Sequence, residues 1–329
     1  MKRNILEKEV LKTVLFFNLH NRPLNIKEIH QYLSIKTQEN QVFLSTLELC
    51  RKNKLIEKNQ FFVLKNYQNL FRIFKKKLEI KQNLLKKTNK FIWFIKLFPF
   101  VRGVFLANSL SMGLPDKNSD IDLVIITKKN RLWTCRFFLT GVFSILGHKR
   151  IKNKKAAPEK FCLSYFIDLG FANLEKQKIN NDPLFTHWLA TLKPIIGGKS
   201  VEYFYSQNAW LIKHFPNLKI DLNNDTRIKP LSLCAFIVEK IITLFGEKLE
   251  NYLFKIQKKK IKAKNKKDTL LAQKNVCRLL QPDGYRTKFA KKFEKELKKL
   301  IYKTQGAKNP PERLTSFGRT GNNQIKFKL

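Results

Sequence analysis

The sequence predicts an α+β protein with a mixed sheet, an N-terminal winged-helix-like region and a C-terminal helical region. Three observations predict it. In the first 65 residues, three helical patterns are followed by a hairpin pattern. In the middle of the chain, two strand-like apolar runs lie on either side of a turn that leads into Asp120 and Asp122. The last third consists of basic segments with helical spacing. Local patterns of these kinds predict five regions, namely 1–65, 66–100, 101–230, 231–308 and 309–329.

Residues 1–65 show a winged-helix pattern. Asn25 is a candidate N-cap with Glu28 three residues later, and two short apolar runs around residues 58–60 predict a hairpin. The acidic Glu39 and Glu48 in the third helix leave two interpretations open: a reader of duplex nucleic acid, or a module that packs against the rest of the chain. The predicted helices are 7–19, 26–33 and 38–53, and the predicted strands are 55–57 and 61–64.

Residues 66–98 predict one long basic helix, which Pro99 ends because proline cannot continue a helix. It connects the N-terminal region to the next strand. Its lysine clusters are typical of a solvated helix face.

The segment 101–128 carries the chemistry. Its apolar runs 104–106 and 121–126 predict two strands, with Asp120 and Asp122 at the start of the second. Alternation in a strand places both carboxylates on one face, with Cα atoms roughly 6.5–7 Å apart. Two hard oxygen ligands on one face suit Mg²⁺, which proteins hold with one or two carboxylates plus substrate phosphates.

The order of the Asn108-Ser109 turn, a strand with Asp-x-Asp and a later strand ending in Asp168 resembles the nucleotidyltransferase domain of the DNA polymerase beta superfamily. The resemblance implies that Asp120 and Asp122 hold two Mg²⁺ ions and that Asp168 holds one of them and deprotonates the acceptor hydroxyl. The resemblance also implies that an NTP is the substrate. The candidate nucleotide-binding residues are Asn108, Ser109 and Ser119.

One position departs from that family's pattern. Asn108 stands where the family has glycine, which allows backbone to approach phosphate closely. Asparagine tolerates a positive φ better than other residues with side chains, so the turn itself can be kept. The segments 182–194 and 208–217 resemble parts of predicted bacterial nucleotidyltransferase-domain proteins, which extends the likeness over most of the chain.

The C-terminal region is basic. Residues 231–257 predict one amphipathic helix, and the lysine run 258–267 fits either a nucleic-acid backbone or a solvated connector. The residues from 309 onward predict a disordered tail.

Composition narrows the possible partners and the location of the protein. A formal charge of +41 attracts polyanions, nucleic acid first, although 53 of the 66 basic residues are lysines without the bidentate geometry of arginine. Five widely spaced cysteines predict reduced thiols and a cytoplasmic location, and the apolar stretches are too short or too charged to predict a membrane partner.

Three function classes remain open. The first is an Mg²⁺-dependent nucleotidyltransferase that moves a nucleoside monophosphate from an NTP to a hydroxyl. The second is a nucleic-acid-binding or regulatory protein with a degenerate transferase core. The third is a structural module, which no particular residue favours.

Overall fold

The computed structural model describes residues 2–150, 158–220, 233–264, 271–274, 276–278 and 283–304. It is an α+β structure in which helices cover both faces of a mixed sheet. The predicted tail from 309 onward lies outside the described residues.

The N-terminal region contains the three helices and the hairpin that the sequence predicts. Asn25 accepts a hydrogen bond from the backbone N–H of Glu28, whose side chain accepts one from the backbone of Asn25, so the predicted N-cap is confirmed as a capping box. The hairpin strands pair Leu55 with Leu64 in antiparallel register. The elements are α1 (Lys2–Leu19), α2 (Ile26–Gln31), α3 (Glu39–Arg51), β1 (Leu55–Lys58) and β2 (Phe61–Leu64).

The predicted long helix follows as α4 (Leu70–Ile95), and the chain then enters the main sheet. The sheet order is β6-β3-β4-β5-β8-β7, in which β4 and β5 are parallel and every other neighbouring pair is antiparallel. The strands are β3 (Val101–Leu106), β4 (Ile121–Thr127), β5 (Phe161–Asp168), β6 (Lys193–Ile196), β7 (Leu271–Gln273) and β8 (Val276–Arg278). The helices between and after them are α5 (Leu132–Ile145), α6 (Pro183–Ala190), α7 (Lys199–Gln207), α8 (Ala209–His214), α9 (Leu233–Leu244), α10 (Gly246–Lys264) and α11 (Asp283–Thr304).

Side chains alternate between the two faces of the central strands, and each face contributes to a separate apolar core. Phe105, Val124 and Ile126 face the core that α1 and α11 help to form, whereas Val104 and Ile125 face the core under α4 and α5. The N-terminal helices therefore pack on the sheet and do not stand apart from it. The side chain of Arg22 also donates hydrogen bonds to the backbone oxygens of residues 111 and 112 in the loop before β4.

The C-terminal region differs from the expectation of a purely helical segment. Its strands β7 and β8 extend the main sheet, and the predicted single helix 231–257 is two helices, broken at Gly246, which has a φ of +54°. Glu250 of α10 accepts hydrogen bonds from the backbone N–H groups of Trp133 and Thr134 and so caps α5. Periodicity could not reveal this integration, because strand pairing over more than a hundred residues leaves no local pattern.

Candidate metal and nucleotide site

The acid pair lies at the beginning of β4. Asp120 directly precedes the strand and Asp122 is its second residue, and both side chains are partly exposed. Their carboxylate oxygens and the Sγ of Cys162 all lie within 4.8 Å of one another. The predicted convergence of Asp120 and Asp122 is confirmed, and two carboxylates at this spacing fit the donor set of one Mg²⁺ ion.

Cys162 joins the pair because β4 and β5 are parallel. In the register of these strands Asp122 lies beside Cys162, at the N-terminal ends of both. A thiol is a softer ligand than a carboxylate, so the third position does not supply the hard oxygen that a second Mg²⁺ would require.

Asp168 lies at the other end of the same two strands, where it neighbours Thr127. Five residues of strand separate Thr127 from Asp122, which corresponds to roughly 17 Å at about 3.3 Å per residue. The prediction that Asp168 is a third metal ligand and the base for the acceptor is therefore wrong. Parallel strands bring together residues at matching ends, and Asp168 ends β5 whereas the acid pair begins β4.

Asp168 is fully buried and has a structural role. Its two carboxylate oxygens accept hydrogen bonds from the backbone N–H groups of Asn130, at 2.6 Å, and Gly170, at 2.8 Å. Burial raises the pKa of Asp168, and the two backbone N–H groups oppose that shift. The carboxylate closes the loops that follow β4 and β5.

The turn before the acids keeps the geometry expected of a glycine position. Asn108 has a φ of +51°, and its backbone oxygen accepts hydrogen bonds from the N–H groups of residues 111, 112 and 113. Its side-chain oxygen accepts a hydrogen bond from Nε1 of Trp188 at 3.0 Å, and its side chain also hydrogen-bonds to Asp122. Asparagine thus provides the positive φ and connects the turn to α6.

Ser109 and Ser119 have different positions. Ser109 lines the cavity beside the acid pair, as expected for a nucleotide-binding residue. Ser119 lies in an exposed turn, where its hydroxyl exchanges hydrogen bonds with the backbone N–H and the carboxylate of Asp116. The structure does not bring Ser119 to the cavity wall, and we correct that expectation: its hydroxyl is already used to shape the turn.

Arg150 is a site residue that the sequence analysis missed. Its Nη1 lies 2.6 Å from Oδ2 of Asp120 in an ion pair, and it lines the same cavity as Asp122. Nothing in the local sequence distinguishes this arginine, because it lies 30 residues from its partner.

The charges at the site are unequal. Burial, and then repulsion from Asp120, raise the pKa of Asp122 to about 6, while hydrogen bonds from Asn108 and Cys162 and the charge of Arg150 act in the opposite direction. Burial acts to lower the pKa of Arg150, but the neighbouring carboxylates, Asp120 first, outweigh it and raise that pKa. Among the described residues, Arg150 is the ion-pair partner of this close pair of carboxylates, so their combined negative charge favours a further bound cation.

A cavity of about 430 Å³ opens beside these residues. Polar and acidic residues near the start of β4 and β5 line it together with aromatic side chains of α6 and with residues of α11. Burial lowers the pKa of His20, another lining residue, to about 4, so its ring is neutral at pH 7. The lining residues include Asn108, Ser109, Asp122, Arg150, Cys162, Phe185, Trp188, Tyr285 and Arg286.

No matching family model, curated protein or solved structure was found when the chain was compared with each. In the described part of the chain, every helix is too short or too polar to cross a bilayer.

Proposed function

We propose that this protein binds a magnesium–nucleoside triphosphate in the cavity beside Asp120 and Asp122 and transfers the nucleoside monophosphate to a hydroxyl acceptor. The observation that carries the proposal is the convergence of two carboxylates, one of which, that of Asp122, lines a cavity large enough for a nucleotide. Magnesium bound by this pair supplies positive charge for the triphosphate.

Each residue of the site has a role in this proposal. Asp120 and Asp122 hold the cation, and the loop from Asn108 presents Ser109 to the phosphates. Arg150 is placed to exchange part of its ion pair with Asp120 for a phosphate oxygen, since guanidinium groups bind both anions through the same donors. The aromatic wall of α6 offers apolar surface to the rest of the nucleotide.

A second function is favoured by the position of Asp168. Among the residues that the structure describes, no third carboxylate lies near the pair to take the acceptor proton. A protein with this arrangement can bind a nucleotide and respond to it without transferring it. This is the regulatory alternative, with a core that has lost part of the catalytic set.

Two measurements on the same samples separate these functions. Binding of fluorescent NTP analogues is measured with Mg²⁺ and with EDTA, and incorporation from labelled NTPs is measured with nucleic-acid, protein and small-molecule acceptors. Asp120→Asn and Asp122→Asn are the test variants, and Asp116→Asn is the control, since it removes the same charge from an exposed position in the same loop.

Mg²⁺-dependent binding together with incorporation that both test variants lose supports the transferase. Binding without incorporation by the wild type supports the regulatory protein. Binding that is equal in EDTA, or unchanged in both variants, contradicts the proposed site.

A further inference from the structure

Helix α9 exposes an unusual amount of apolar surface. Six large apolar side chains that follow Ala235, in α9 or directly after it, are exposed. The side chain of Leu244 is 85% exposed and that of Phe245 is 63% exposed. Exposed apolar side chains clustered in this way mark an interaction surface. We call the following set the α9 face: Phe236, Ile237, Val238, Ile241, Leu244 and Phe245.

One side of α9 packs on the protein. Glu239 is buried and accepts hydrogen bonds from the backbone N–H of Phe100 and from both terminal nitrogens of Arg102, the latter at 2.8 and 2.7 Å. Ala235 is buried on the same side, and Ile242 packs against the core under α4 and α5. At 3.6 residues per turn, the exposed residues from Phe236 round to Val238 span roughly 200°, and Lys240 separates Phe236 from a continuous apolar arc of roughly 120°.

One lysine interrupts this arc, and two others lie close to the helix. Lys240 lies within it, with Nζ 4.9 Å from the ring centroid of Phe236, and Lys248 is exposed at the start of α10. Lys128 lies 3.8 Å from Glu239 at the base of the helix. Long lysine side chains can lie along apolar surface and keep their ammonium groups in a polar layer.

We propose that the α9 face inserts into the interface of an anionic lipid bilayer and that the neighbouring lysines contact the lipid headgroups. An exposed apolar helix face with lysines in and beside it is the pattern of helices that lie in the plane of a membrane surface. The helix does not need to span the bilayer, so the absence of a spanning helix among the described residues is compatible with this placement. The proposal departs from the sequence expectation of no membrane partner, which followed from apolar stretches too short or too charged to span a bilayer.

The charge of the protein favours an anionic lipid surface over a second copy of this chain. A second copy of this chain would bring two formal charges of +41 together, which opposes association. An anionic surface satisfies both the apolar residues and the lysines.

The experiment measures sedimentation of the full-length protein with vesicles of phosphatidylcholine and phosphatidylglycerol and with vesicles of phosphatidylcholine alone. The test variant carries Ile241→Ser, Leu244→Ser and Phe245→Ser. The control variant carries Ile5→Ser, Phe43→Ser and Leu44→Ser, which removes three exposed apolar side chains from α1 and α3. Neither variant changes the net charge, so a difference between them reports apolar insertion and not charge.

We expect the partition onto anionic vesicles to fall by about 10- to 100-fold in the test variant and by less than about 3-fold in the control, since three inserted side chains are lost. Wild-type binding should partly survive salt that screens surface charge. As a second measurement, brominated lipids should quench the added fluorescence of Phe245→Trp but not that of Phe43→Trp.

Equal binding of the wild type and the test variant would overturn the proposal and leave only electrostatic adsorption by the basic surface. Loss of self-association in the test variant, without vesicles present, would also overturn it and identify a second copy as the occupant. If brominated lipids did not quench the added fluorescence of Phe245→Trp, insertion would be excluded, even if the triple variant folded poorly.

Discussion

The two ends of the β4–β5 pair hold the same kind of side chain in different environments. At the N-terminal ends, Asp122 lines a cavity, and the neighbouring Asp120 forms an ion pair with Arg150. At the C-terminal ends, Asp168 is fully buried and its carboxylate accepts two backbone N–H groups. An aspartate at a strand end can therefore face a cavity or connect two loops, and its hydrogen-bond partners distinguish the two cases.

Each end also uses an asparagine with positive φ, but in a different way. Asn108, with a φ of +51°, contacts its aspartate and Trp188 through its side chain. Asn130, with a φ of +57°, contacts Asp168 through its backbone N–H. The comparison predicts that identical substitutions at the two ends have different effects, and the expected differences can be ranked.

The largest difference concerns Mg²⁺-dependent nucleotide chemistry. Asp122→Asn should reduce it by about 100-fold or more, because the variant loses a ligand charge on the metal, whereas Asp168→Asn should retain activity in proportion to the folded fraction. Mg²⁺-dependent binding of an NTP and incorporation of label measure this. Equal losses in both variants would return Asp168 to the site.

The next difference concerns stability. Asp168→Asn should lower the free energy of unfolding by about 2 kcal/mol, because an amide has only one oxygen and turns an N–H donor toward a backbone donor. Urea denaturation at pH 7 measures it, and Asp116→Asn in an exposed turn is the control with a small expected effect. An unchanged unfolding midpoint would contradict the role of Asp168 in closing the loops.

Asp122→Asn should have the opposite effect on stability when no Mg²⁺ is present. Burial and Asp120 raise the pKa of Asp122 to about 6 from an ordinary value of 3.8, so the folded chain holds this proton more tightly than the unfolded chain does. The free energy of unfolding of the wild type then falls as pH rises from about 4 to about 6.

The variant lacks that fall and should be more stable than the wild type at pH 7 by about 1 kcal/mol, with little difference at pH 4. Thermal or urea unfolding across this pH range, in EDTA, measures it. A variant that is less stable than the wild type at pH 7 would show that the carboxylate stabilises the apo fold.

The smallest difference concerns the two asparagines. Asn130→Gly should change stability by less than about 0.5 kcal/mol, because glycine accepts the positive φ and keeps the N–H that Asp168 needs. Asn108→Gly should cost about 1 kcal/mol, because Trp188 loses its hydrogen-bond acceptor. It should also raise the pKa of Asp122 further, which NMR titration of the carboxyl carbon can follow.

Local patterns predicted a large part of the fold. The N-cap at Asn25, the hairpin around residues 58–60 and the strand that begins at Ile121 depend on residues a few positions apart, and the structure contains all three. The convergence of Asp120 and Asp122 was predictable for the same reason, since alternation in a strand is a local property.

The rest of the site depends on contacts between distant residues. Cys162 meets Asp122 only because β5 runs parallel to β4 in one register, and Arg150 meets Asp120 only after α5 has returned the chain to that end of the sheet. The order of elements also predicted a third acid, but it gave no information about strand direction, so it selected Asp168 at the wrong end.

The sequence by itself determined the class of the fold, the acid pair and the positive-φ turn at Asn108, because each follows from residue type and short spacing. The tertiary structure decided which residues share the cavity with the pair, that β7 and β8 complete the sheet and that α9 is left uncovered. The physical reason is that strand register and helix docking are set by packing over the whole molecule, and a side chain's function follows from the neighbours that this packing provides.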